Sequence, residues 1–163
     1  MEQLNKVENT SKNIQEMVDE ILGDSLKELD DYIALVRKIF IESPEIIDGD
    51  LDKILLSIPT YTYYVLEIAQ RLEMRKGVSK EHASFAKNEA MLNATGTVAD
   101  KTAKAENQTA EDRLVQIAYN TASALVKSKL DGAMAILDSA KKVQARKLAE
   151  MRLTGQAGSA VGF

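Results

Sequence analysis

The chain reads as all-α. Three observations predict this. Ala, Leu, Ile, Lys and Glu dominate its 163 residues. Only 2 Pro and 8 Gly interrupt them. Apolar side chains recur at steps of three and four, and no segment shows the two-residue alternation of a strand. About five or six helices are expected in an elongated arrangement, with a long C-terminal helix used for self-association. Aromatics are 5% and Trp is absent, so the core is thin, and oligomerisation is a common way to complete such a core.

The elements follow in order. Residues 1–10 are polar and expected to fray. Thr10 or Ser11 can cap a first helix whose face is Ile14, Met17, Val18, Ile21 and Leu22. Gly23-Asp24-Ser25 interrupts it, and a second helix carries Leu26, Leu29, Ile33, Val36, Ile39 and Phe40. Ser43-Pro44 ends that helix, because the residue before proline is pushed out of the α region. Asp48-Gly49-Asp50 is a turn, and Asp50 caps a short helix with Leu51, Ile54, Leu55 and Ile58. Pro59 suits the first turn of a new helix lined by Tyr61, Tyr64, Val65, Ile68 and Leu72. Gly77 reads as a C-cap and Ser79 as the N-cap of a further helix over about 80–94.

Residues 95–109 are small and polar and read as a mobile loop. The last helix spans about 110–153, roughly 65 Å at 1.5 Å per residue. Its later part has a near-heptad seam of Val126, Leu130, Ala133, Leu137, Ala140, Gln144, Leu148 and Met151, of which Val126, Leu130, Leu137, Leu148 and Met151 are the expected oligomerisation contacts. Three regions are therefore expected: an acidic N-terminal helical extension over 1–50, a helical core over 51–153 containing the polar loop 95–109, and a flexible tail over 154–163.

Charge is unevenly distributed. Residues 1–60 hold 14 Asp/Glu against 6 Lys/Arg, a net of −8, and residues 127–152 hold 3 against 7, a net of +4. One acidic and one basic helical end suit a protein that meets a partner or a polyanion more than one that turns over a small molecule.

Catalytic equipment is missing. There is no Cys, so disulfides, thiolate metal sites and Cys nucleophiles are excluded. His82 is the single histidine, expected half-buried on its helix, and supports neither a triad nor a His-rich metal site. Carboxylate neighbours such as Glu28, Asp30 and Asp31 read as solubilising charge. There is no P-loop, no GxGxxG and no EF-hand loop. Neither an enzyme nor a cofactor is expected. Residues 1–10 lack the apolar run of a signal peptide, and no run reaches the ~20 apolar residues of a membrane helix. A soluble cytoplasmic protein with no membrane partner is expected.

Nucleic acid is the stronger possibility. Arg71, Arg75, Lys76, Lys80 and Lys87 run through the middle helices, and Lys141, Lys142 and Arg146 decorate the last one. Clustered cations bind polyanions by releasing condensed counterions. The same residues also read as a solvated face, or as pairing between coiled helices, and both readings stay open. Among the aromatics, Tyr61 and Tyr64 share the apolar stripe and are expected in the core. Tyr63 falls on the other face and is the better candidate to stack on a base, while Tyr119 lies just off the apolar line.

One resemblance bears on this choice. The segment Leu130-Asp131-Gly132-Ala133-Met134-Ala135-Ile136-Leu137-Asp138-Ser139-Ala140-Lys141-Lys142, followed by Glu150-Met151-Arg152, resembles the C-terminus of phage recombination mediators of the UvsY type. The upstream layout is similar: a Tyr-containing helix, a Ser-capped Lys/Glu helix ending near Gly96, and a polar stretch. The likeness covers about residues 50–155. It implies a small helical protein that forms a ring-like homo-oligomer, binds single-stranded DNA and helps load a RecA-like recombinase onto strands coated with single-stranded-DNA-binding protein, in the host cytoplasm if phage-encoded. The family's DNA-contacting helix carries a Lys-Ala-Arg-Leu stretch. The nearest match is Lys87-Asn88-Glu89-Ala90, which keeps the lysine and lacks the arginine, so weight shifts to Lys80 and Arg75. Residues 1–50 extend beyond the family pattern, and such an acidic arm is expected to mimic DNA or dock on a partner. The alternative expectation is a helical structural or adaptor protein, a phage assembly component or an anti-defence inhibitor, that binds a protein partner.

Overall fold

The computed structural model describes residues 2–42 and 48–159, with side chains described over 3–41 and 49–153. Among these residues there are five helices and no strand: α1 (Glu2–Leu22), α2 (Lys27–Glu42), α3 (Asp48–Asn93), α4 (Val98–Gln108) and α5 (Ala110–Ser159). The chain is all-α with a long C-terminal helix. The expected break at Ser43-Pro44 lies outside the described residues, as do 160–163 of the expected tail.

The contacts divide the chain into two compact units. Met1–Leu26 with Leu66–Ser128 forms the first, and Lys27–Val65 with Lys129–Phe163 forms the second, so α3 and α5 each contribute a segment to both. The first unit buries Val18, Leu22 and Leu26 from the N-terminal stretch, Leu72 of α3, and the small residues Ala105, Ala118 and Ala122 together with Val126. The second unit buries Leu29 and Val36 of α2, Leu51, Ile54, Ile58 and Val65 of α3, and Ala133, Leu137 and Ala140 of α5. Each fully buried Leu, Ile or Val contributes roughly 1.5–3 kcal/mol of transfer free energy.

Polar contacts fix how the helices meet inside each unit. In the second, the Tyr32 hydroxyl donates to the Lys53 carbonyl at 3.1 Å, the Tyr32 ring lies 5.0 Å from Tyr61, and Lys129 pairs with Asp30. In the first, the Ser123 hydroxyl donates to Glu73 and Lys87 donates to Glu106 at 3.0 Å.

Several expectations are corrected. Residues 1–50 contribute to the core of both units, Val18, Leu22 and Leu26 to the first and Leu29 and Val36 to the second. Helix α1 begins at Glu2, and Thr10 does not cap it, because its hydroxyl donates back to the Lys6 carbonyl. The expected loop 95–109 is mostly helix α4. Thr97 accepts from the Asp100 amide while the Asp100 carboxylate accepts from the Thr97 amide, a reciprocal capping box. Gly96, at φ +121°, supplies the turn before it.

Helix α3 runs through both expected breaks. Pro59 lies inside it, held by the buried stripe Ile54, Ile58, Thr62 and Val65 on either side. Gly77 is helical, and the Ser79 hydroxyl donates back to the Lys76 carbonyl instead of capping a new helix. Helix α5 continues to Ser159, beyond the expected start of the tail at 154. Tyr64 is exposed beside Tyr63, and His82 is exposed 3.4 Å from Asp112. Tyr119 is half-buried.

The α5 seam is corrected as well. Val126, Ala133, Leu137 and Ala140 are buried within the chain's own units, and Leu130 is half-buried. Val126 and Leu137 are therefore intramolecular core residues, which removes them as self-association contacts. Leu148 and Met151 are exposed.

Candidate nucleic-acid interface

At roughly 100° per residue, the five basic residues of α3 divide between two edges. Lys76, Lys80 and Lys87 fall within about 40° of one another, and Arg71 and Arg75 fall together on the far side of buried Leu72. Apolar contact along the Leu72 line puts each group at an edge of the packed face, so the stretch 71–87 presents two cation rows.

Most of these cations already face carboxylates. Arg71 pairs with Glu67, and Lys76 with Glu73 at 3.1 Å. Glu73 is held below the usual carboxylate range chiefly by the Ser123 hydroxyl, then by Lys76 and Lys127. Arg75 makes no ion pair among the described residues. It lines a separate groove with Met17, Glu20 and Ile21 of α1 and Val115 and Tyr119 of α5. Surface pairs of this kind contribute only ~0–1 kcal/mol each, so a phosphate can compete for the cation.

One place gathers the charge. Lys80 and Lys87 stand two helical turns apart on α3, and Arg113 and Gln116 face them from the first turns of α5. Together with Glu106 of α4 and Thr109 at the α4–α5 joint they line a groove of about 360 Å³. Its lining includes the small residues Ala83 and Ser84, which take up little of the space between the cations. Three cations face one carboxylate. Glu106 is held below the usual carboxylate range, first by its hydrogen bond and charge pairing with Lys87 and then by the Arg113 charge. Lys80 and Arg113 make no ion pair among the described residues.

No family model, curated protein or solved structure matches the chain.

The remaining candidates belong to the second unit. Lys141 pairs with Asp138 at 3.4 Å and Arg146 with Glu150 at 3.6 Å. Lys142 is exposed four residues before Arg146, on the same face, and makes no ion pair among the described residues. Tyr63 is exposed on α3 in this unit, its ring edge-on to Tyr64 with centroids 5.8 Å apart.

The sequence pattern does not single out Arg113 or Gln116. Their position depends on α4 turning back at Thr109, where the backbone amide donates to the Ala105 carbonyl. The Thr97-x-x-Asp100 capping box is the local signal that announces α4. Among the described residues no three His, Cys, Asp or Glu side chains gather into a metal-holding group, and no helix is long and apolar enough to cross a membrane.

Proposed function

We propose that the protein is a non-enzymatic single-stranded-DNA-binding recombination mediator or accessory protein that acts as a homo-oligomer. The observation that carries this reading is the groove that brings Lys80, Lys87 and Arg113 together. Lys supplies mobile ammonium donors and Arg a rigid fork, both suited to phosphate oxygens. Phosphate contacts of this kind carry no sequence information, so the binding they supply is sequence-tolerant. The work is done by binding energy, and an oligomer multiplies a weak site into avidity. The likeness to UvsY-type mediators supports the role in recombination, with a RecA-like recombinase and single-stranded-DNA-binding protein as proposed partners.

The test is fluorescence anisotropy of labelled poly-dT across a salt series. Three phosphate contacts on a single strand give a slope of about −2 in log K against log salt. Lys80→Ala or Arg113→Ala should lower affinity and each reduce the slope by about 0.7. Binding unchanged in both variants, or no binding at low salt by folded protein, would overturn the reading.

A second reading is favoured by one observation. Met74, Val78, Phe85 and Leu92 are exposed along the outward face of α3. A helical structural or adaptor protein would use such a face for a protein partner. Its complex should survive the salt that releases DNA.

A further inference from the structure

The outward face of α3 in the first unit carries four large apolar side chains in register. Met74 and Val78 are each 65% exposed, Phe85 77% and Leu92 84%. The steps between them are four, seven and seven residues, so they lie within about 40° on the helix. Heptad terms place Val78, Phe85 and Leu92 at a, and Met74 at d. Nothing in the unit covers them, and they stand across the helix from the Lys80/Lys87 edge.

Four such side chains expose roughly 400 Å² of apolar surface, the size of patch that marks an interaction site on a monomer. Two copies of the patch, with the stems of the flanking charged residues, approach the ~1,000 Å² of a specific interface. Glu81 and Asn88 occupy the intervening d positions. Polar residues in a seam cost stability and fix register, so the contact is reversible.

The flanking charges identify the occupant. Arg75, His82 and Glu89 take successive e positions on one side of the stripe, all exposed. If two α3 helices run antiparallel with Leu92 of each on Met74 of the other, e faces e across a two-fold axis. Arg75 of each copy then meets Glu89 of the other, and Phe85 packs beside the Glu81 stem. In a parallel pair Arg75 would face Gln70 of the g row, which offers no charge to meet it.

We infer that this face binds a second copy of the same chain, forming a reversible antiparallel dimer through Met74, Val78, Phe85 and Leu92. The dimer leaves both Lys80/Lys87/Arg113 grooves open. It shares with the proposed function only the expectation of self-assembly and stands without DNA.

The test is sedimentation equilibrium of the full chain, free of DNA, over a range of concentrations. The expected result is reversible growth from the 18.0 kDa chain to twice that mass. Phe85→Glu, at a site too exposed to disturb the fold, should abolish the growth with the helical circular dichroism unchanged. Arg75→Glu and Glu89→Arg should each weaken dimerisation, and the double exchange Arg75→Glu/Glu89→Arg should restore it. A monomer at every concentration overturns the proposal, as does assembly indifferent to Phe85→Glu. Single exchanges that the double variant fails to rescue overturn the antiparallel arrangement. Poly-dT binding by the same wild-type sample reports the DNA reading separately.

Discussion

Lys87 donates to the Glu106 carboxylate at 3.0 Å, tying α3 to α4 along the edge of the basic groove. The pair has two consequences. It holds α4 against α3, and it occupies a cation that a phosphate would otherwise take. Glu106→Gln removes the competing charge and keeps the amide-sized side chain. Poly-dT affinity at neutral pH should rise about two- to fivefold, the worth of an exposed pair. Anisotropy titration at fixed salt measures it, and a fall in affinity would show that Glu106 organises the groove more than it blocks it.

The acid limb of stability follows from the same carboxylates. Glu73, Asp100 and Glu106 all lie below their ordinary values of 4.5, 3.8 and 4.5, held there chiefly by Ser123, Thr97 and Lys87 respectively. For a depressed carboxylate the folded state binds its proton less readily than the unfolded state does. The stabilisation is complete above the ordinary value and is lost as pH falls through the depressed one. Thermal melts should be flat in these groups from neutrality to about pH 5 and fall below 4.5. Glu73→Gln should flatten that acid limb, and an unaltered limb would count against the assignment.

The α5 seam predicts two opposite outcomes. Leu137 is 4% exposed and Leu148 50%. Leu137→Glu buries an unpaired charge in the second unit and should cost more than about 3 kcal/mol. Leu148→Glu should change stability by no more than ~0.5 kcal/mol. Urea unfolding of the two variants distinguishes them, and equal effects would contradict the assignment of Leu137 to the core.

The α4 cap is separable. Thr97→Ala removes the side chain that accepts from the Asp100 amide, at a cost of about 1 kcal/mol. The loss should appear as faster amide exchange over 98–108, with the second unit unchanged. Uniform loss across the chain would mean that α4 does not open as a local unit.

Much of the fold was legible in the residues. The spacing Ile14, Met17, Val18, Ile21, Leu22 and the spacing Leu26, Leu29, Ile33, Val36 name the packed faces of α1 and α2, because a helix with one apolar stripe has one way to bury it. Of the site, Lys80 and Lys87 were legible as paired cations two turns apart. Arg113 was not, since residues 95–109 show a polar composition whose helix rests on the Thr97–Asp100 cap and on buried Ala105, too small to mark a periodic face.

The sequence by itself determined that the chain is helical, where its apolar faces lie and which end carries each charge, because these depend on short-range spacing. Tertiary structure decided what local signals contradict. Pro59 reads as a helix start and Gly77 as a helix end, yet α3 continues through both; at Pro59 the buried residues on either side gain more from one unbroken face than a lost backbone hydrogen bond costs. It also decided which seam is spent. Val126 and Leu137 read as free for a second chain and are buried in the chain's own units, while Val78 and Phe85, in the same heptad rhythm, are left facing solvent. Periodicity marks a face that needs covering, and only the packing within each unit shows which faces the chain covers by itself.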